Sequence, residues 1–195
     1  MNYNNIQKKY TIKIPKNVTT IYCDKKNIIT FIGPIKTTSL KVKNKIFFSE
    51  SLQLLNVSEF LAHNLSSNEL KKTNKTIQGT TFALIKQILI EINYKLYNKL
   101  HLKGVGYRVF QMDKPLENQI YLKLGYSHLI YFKIPENINS LSSKFTKLFI
   151  FGSASYNQIT QTTALIRDTK RPEPYKGKGI LRDEEKIILK KGKKI

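Results

Sequence analysis

The chain has one cysteine, no tryptophan, three histidines and only 13 acidic residues among 195. A single thiol cannot close an internal disulfide, which excludes a cystine-stapled secreted scaffold. Cys23 with His63, His101 and His128 gives no zinc ligand set at a usable spacing. Long apolar runs are also missing. The most apolar helical stretch, Phe82 to Ile92, is broken by Lys86, Gln87 and Glu91, so no transmembrane helix is expected. No segment sets a basic helical face against Trp or Phe, which argues against a membrane-surface role.

Catalytic constellations are equally scarce. Gly104-Val105-Gly106 lacks the third glycine of a dinucleotide fingerprint and runs into a strand pattern, and no Gly-Lys-Ser/Thr phosphate loop occurs. Ser127 lies beside His128, but neighbours on a strand point to opposite faces and do not pair. Asp183-Glu184-Glu185 is a short acidic run inside a basic tail, expected as a solvated helix start or local charge balance. No catalytic residue, metal site, cofactor or small-molecule substrate is expected.

What the chain does have is positive charge: 34 Lys and Arg, for a net +21. A hydrophobic fraction of 41%, with 11% aromatic, supplies a core, so the charge does not imply disorder. Self-repulsion of this size asks for a polyanion. The charge is spread along the chain: residues 1–98 hold 15 basic and 5 acidic residues, and residues 99–195 hold 19 and 8. Nucleic acid is the expected partner. Met1 to Tyr10 has no apolar segment of the signal-peptide kind, and the first arginine of the chain is Arg108, unlike an Arg-rich presequence. Lysine in preference to arginine, with abundant Asn and Ile, is what an AT-rich coding sequence yields, and points to an organellar genome.

Internal repetition sets the expected architecture. Lys13-Ile14-Pro15-Lys16-Asn17-Val18 returns as Lys133-Ile134-Pro135-Glu136-Asn137-Ile138, each copy leading to an apolar strand that ends in glycine, at Gly33 and Gly152. Thr81 to Lys86 is echoed by Thr162 to Arg167, so the offset falls from 120 residues to 81, as a longer strand-to-helix connection in the first copy would cause. Tyr10, Ile12, Ile14 and Ile120, Leu122, Leu124 alternate with polar or exposed positions as half-buried strands do. Ile85, Ile88, Leu89, Ile92 and Leu96 follow helical spacing behind Thr80 as candidate N-cap, with Glu91 and Lys95 as an i,i+4 pair. The expectation is an α+β chain of two tandem duplicated units, 1–98 and 99–195, each a small, mainly antiparallel sheet packed with a helix. Residues 50–78 are expected as the long connection of the first unit, with a short helix at Ser58 to Leu65, and residues 170–195 as a basic RNA-binding tail.

In Arg171-Pro172-Glu173-Pro174-Tyr175-Lys176-Gly177-Lys178-Gly179-Ile180 two prolines predict an extended path. On that path Lys176 and Lys178 fall on one side to meet successive phosphates, and Gly177 and Gly179 leave their N–H groups open to phosphate oxygens. Tyr175 is placed to stack on an unpaired base.

This string, with Gly104 to Arg108, Leu124 to His128 and Gly79-Thr80-Thr81, resembles the universal large-subunit ribosomal protein L-six family, over about Tyr10 to the C-terminus. The resemblance implies a duplicated α+β fold and a scaffold that is not an enzyme. It also implies binding to large-subunit ribosomal RNA near the sarcin-ricin loop and the base of the factor-binding stalk, among neighbouring large-subunit proteins. Its RNA-contacting residues carry over to Arg171, Tyr175, Lys176, Gly177, Lys178 and Gly179, with Lys170, Lys103, Tyr107, Arg108, Ser127 and His128. The chain departs from the family at Gly33-Pro34-Ile35-Lys36, where the family has Gly-Pro-Lys-Gly, and at Ile180-Leu181-Arg182, where it has Arg-Tyr. The mitochondrial matrix is the expected compartment, with plastid or bacterial cytoplasm as alternatives, and a free RNA-binding or RNA-chaperone module is the rival function.

Overall fold

A computed structural model describes residues 10–49, 52–58, 67–112, 118–152 and 155–192. The chain divides into two compact units, Met1–Tyr94 and Lys95–Ile195. The first holds β1 (Thr11–Lys13), β2 (Thr19–Cys23), β3 (Ile28–Ile32), β4 (Thr37–Lys41), β5 (Ile46–Ser49), β6 (Leu54–Val57) and α1 (Ser67–Asn93). The second holds β7 (Leu96–Lys103), β8 (Arg108–Gln111), β9 (Gln119–Lys123), β10 (Ile130–Lys133), β11 (Ile138–Ser143), β12 (Lys147–Gly152), α2 (Tyr156–Asp168) and β13 (Gly179–Arg182). Asn98, near which the junction was expected, lies inside β7.

All strand pairs are antiparallel. The first unit has sheets β1-β6-β5 and β2-β3-β4; the second has β10-β9-β8 and β11-β12-β7-β13. Alternation puts Ile12, Ile29, Phe31, Leu55 and Val57 into the first core, where they meet Ile85, Ile88, Leu89 and Ile92 of α1. The second core gathers Leu100, Leu102, Val109, Ile120, Leu122, Leu148 and Ile150 from strands around Ile159 and Ile166 of α2. Each such side chain contributes about 1.5–3 kcal/mol by leaving water.

The units share a plan that reaches down to single hydrogen bonds. Val18 N–H donates to Pro15 O at 3.1 Å in the first, and Ile138 N–H to Pro135 O at 2.9 Å in the second. Likewise Ile14 N–H reaches Gln53 O at 2.8 Å, and Ile134 N–H reaches Asn118 O at 2.7 Å. Sheet β1-β6-β5 thus corresponds to β10-β9-β8, and β2-β3-β4 to β11-β12-β7, with β13 added along the other side of β7. Chain order, however, is cyclically shifted: the counterparts of β4, β5 and β6 come first in the second unit. That shift accounts for the falling offset between repeats. The segment between β3 and α1 is not an irregular connection but three strands whose partners sit ahead of β10.

Three further expectations are corrected. Within residues 50–78 lie β6 and the first part of α1, while Ser58 is not helical and the remainder of the expected short helix falls outside the described residues. Helix α1 starts at Ser67, so Thr80 is internal and its hydroxyl donates to Ile77 O at 2.9 Å. Polar contacts anchor the helix where no apolar stripe could reveal it: Gln78 Nε2 donates to Val57 O at 2.7 Å and Thr81 Oγ1 to Asn44 Oδ1 at 3.1 Å. Third, Glu91 does not pair with Lys95, which lies beyond the helix. Its side chain is buried and takes Lys36 Nζ at 2.8 Å, with Gln87 Nε2 at 2.9 Å.

That ion pair also fixes the Gly33-Pro34-Ile35-Lys36 turn, whose Ile35 N–H donates to Ile92 O at 3.3 Å. The turn is committed to the end of α1. Lys36→Met should cost about 3 kcal/mol by leaving a buried carboxylate without its cation, and adding Glu91→Leu should restore most of it. Urea midpoints of the single and double variants measure the difference.

Candidate nucleic-acid interface

The C-terminal segment leaves α2 through a tight sequence of local bonds. Ser155 and Gln158 form a capping box that starts α2, and Thr169 closes it, with Thr169 Oγ1 donating to Ile166 O at 2.7 Å. The chain then folds back on itself: Glu173 N–H donates to Lys178 O, Gly177 N–H to Glu173 O and Ile180 N–H to Lys170 O, each at 2.9 Å. Residues 170–180 therefore form a closed loop rather than the extended path expected from Pro172 and Pro174. Lys176 and Lys178 do not share one side of a strand. Lys176 is exposed at the turn, whereas Lys178 is half-buried at its base.

The glycines act differently from expectation too. Gly177 has φ +67° and its N–H is already taken by Glu173. A Cβ on Gly179 would stand 2.6 Å from Pro172 Cα, so this glycine lets two backbones touch where the loop closes. Immediately after it, β13 pairs with β7 in register Gly179↔Lys103, Ile180↔Leu102, Leu181↔His101 and Arg182↔Leu100. The loop is clamped at both ends.

The acidic run secures the tail. Arg167 Nε donates to Glu185 Oε2 at 2.8 Å, and Asp183 Oδ1 takes Lys99 Nζ at 2.9 Å and His101 Nε2 at 2.6 Å. Hydrogen bonding from Arg167 holds the Glu185 carboxyl below the ordinary glutamate range, and that from His101 then Lys99 lowers Asp183. No group of three or more His, Cys, Asp or Glu is placed to hold a metal among the described residues.

Beside the loop lies a groove of about 440 Å³ lined by Tyr107, Tyr126, Asp168, Thr169, Lys170, Arg171, Glu173 and Lys178. Tyr126 hydroxyl donates to Thr169 O at 3.2 Å, Lys170 Nζ sits 4.1 Å over the Tyr126 ring, and His128 stacks on Tyr126 at 5.7 Å. Arg171 Nε bonds Asp168 Oδ1 at 3.0 Å but stays largely exposed. Tyr175 is 54% exposed. Ser127 and His128 are exposed on a bend rather than a strand. Lys103 and Arg108 are exposed at the end of β7 and the start of β8.

Tyr107, expected at an RNA surface, is only 8% exposed. Gly104 faces its ring so closely that a Cβ there would lie 2.8 Å from it, and Gly125 stands on the hydroxyl side, where a Cβ would lie 3.1 Å from Cε1. It is a packing seat for the two glycine turns. Tyr126, which stacks under Lys170 and ties down Thr169, was not among the expected site residues; only its place between Gly125 and Ser127 pointed to it.

The loop, the groove and the two turns together make a basic surface in which Lys103, Arg108, Lys176 and Lys178 have no carboxylate partner among the described residues. The family described as Ribosomal protein L6 matches residues 103–183, which span the two turns, α2 and the loop. A large ribosomal subunit protein uL6 of Mycoplasmoides gallisepticum is 35% identical over 93% of this chain and 92% of its own.

The chain belongs to the ribosomal protein L6 family. It is a structural ribosomal protein and not an enzyme. Organellar relatives match as well: uL6m of Prototheca wickerhamii is 30% identical over 94% of each chain, and uL6c of Phaeodactylum tricornutum 35% identical over 95% of this chain and 96% of its own.

The Arg167–Glu185 pair carries a pH signature. Because the folded state lowers the Glu185 pKa, its stabilisation is complete above the ordinary carboxylate range and is lost as pH falls through the lowered value. Glu185→Gln should therefore cost about 1–2 kcal/mol at neutral pH and flatten the decline of stability below about pH 4. Urea midpoints from pH 7 to pH 3 read both effects.

Proposed function

We propose that the chain is a constituent of the large ribosomal subunit, bound to large-subunit ribosomal RNA near the sarcin-ricin loop and the base of the factor-binding stalk. The observation that carries this reading is the clamped loop of residues 170–180, a closed basic loop whose Lys176 and Lys178 have no carboxylate partner among the described residues. Lys176, Lys178, Lys103 and Arg108 neutralise phosphates and release counterions, and Arg171 and Tyr175 set register, the tyrosine by stacking on an unpaired base. The preformed loop loses little entropy on docking. The tail beyond β13 and neighbouring subunit proteins complete the assembly. The composition of an AT-rich coding sequence and the likeness to uL6m of Prototheca wickerhamii favour a mitochondrial ribosome.

Binding to an RNA fragment containing the sarcin-ricin loop should exceed binding to a size-matched fragment from elsewhere in the same RNA. Lys176→Ala with Lys178→Ala should lower the slope of log affinity against log salt by at most about two units. Equal affinity for both fragments points instead to a free RNA-binding module, and an unchanged slope removes the two lysines from the contact set.

A further inference from the structure

The outer face of sheet β10-β9-β8 carries a feature that the loop does not explain. Its inner residues, Val109, Ile120 and Leu122, are fully buried in the second core. On the opposite face the register places Phe110 against Tyr121 and Tyr121 against Tyr131, one aromatic row across three strands. Phe110 and Tyr121 stack nearly parallel at 4.7 Å and 12°, Tyr131 follows at 6.3 Å, and Phe145 meets the other side of Phe110 at 5.2 Å. The middle rings are half-buried, while the end rings are open, Tyr131 at 62% and Phe145 at 51% exposure.

Phe145 is held there against backbone preference. It and Lys144 have φ of +57° and +51°, a conformation that bulky residues avoid. The ring contact with Phe110 and a 2.8 Å bond from Val109 N–H to Phe145 O keep it in the row.

The charged residues on the outward face of β8, β9 and β10 are all basic. Arg108 and Lys123 are exposed and directly opposite each other, a repulsive cross-strand pair in the free protein. Lys133, opposite Gln119, is exposed on the far side, and β8, β9 and β10 contain no Asp or Glu. An aromatic row bordered by cations matches what unpaired nucleotides require: bases stack on rings, and phosphates meet Lys and Arg. A partner protein would need to supply carboxylates at the same spacing and gives no account of a row whose ends are left open for a further ring.

We propose that this face is a second RNA-contacting surface, on which unpaired bases of single-stranded RNA extend the stack from Tyr131 and Phe145 while Lys123 and Lys133 hold the backbone. It does not depend on the clamped loop.

The test uses the full chain with two probes, oligoadenylate of about twelve nucleotides and an abasic ribose-phosphate strand of the same length. Tyr131→Ser should weaken oligoadenylate binding about five- to a hundredfold, leave the abasic strand unaffected and keep the salt slope, and Tyr131→Phe should bind as the unaltered chain does. Lys123→Gln with Lys133→Gln should lower the slope for both probes by about one to two units. Lys176→Ala with Lys178→Ala should leave the preference for oligoadenylate over the abasic strand intact, which separates failure of this surface from failure of the loop. Unchanged oligoadenylate binding by Tyr131→Ser, equal losses on both probes, or loss of self-association in place of RNA binding would overturn the proposal.

Discussion

Four residue pairs between β13 and β7 hold the C-terminal surface in place. The loop before β13 contains two prolines and one glycine, with Gly179 opening the strand, and has no side-chain core of its own. Its shape comes from being closed at its base, by Ile180 on Lys170 and by the contact of Gly179 with Pro172, and then stitched to a strand whose other edge is held by β12. Ile180 and Leu181 bury their side chains as they pair. The apolar core therefore reaches to within two residues of Lys178. Basic side chains on a flexible tail would lose their ordering entropy on binding, whereas here the fold has already ordered the backbone.

Charge is organised around the same clamp. Three acidic residues near the loop are used inside the protein: Glu185 on Arg167, Asp183 on Lys99 and His101, Asp168 on Arg171. They draw Arg167, Lys99, His101 and Arg171 into the framework and leave Lys103, Arg108 and Lys176 exposed. The net charge of +21 is thus divided into a minority that holds the structure and a majority available to a polyanion.

Much of this was legible in the sequence, for identifiable reasons. Strand alternation at Ile12 and Ile14 and at Ile120 and Leu122 was visible because a half-buried sheet imposes it. The repeat was visible because Pro15 and Pro135 close the same turn. The cyclic shift of strand order was not, since β4 to β6 and β7 to β9 share a fold without sharing a readable motif. The first part of α1 was hidden because it has few apolar residues at helical spacing, Gln78 holding it to Val57 O by a hydrogen bond. At the site, residue types pointed to the right segment but not to its shape: prolines predict extension only when no closing bonds intervene, and Glu173 to Lys178 and Gly177 to Glu173 are such bonds. The burial of Tyr107 follows from the bare Gly104 and Gly125 beside it, the second of which lies on a different turn.

The most direct measurement is sedimentation of a lysate of the source compartment through a sucrose gradient, with immunodetection of this chain before and after a high-salt wash. Co-migration with the large subunit that resists salt is the predicted result, because clamped backbone and stacked rings persist when surface ion pairs are screened. Recovery at the top of the gradient in low salt would contradict the account.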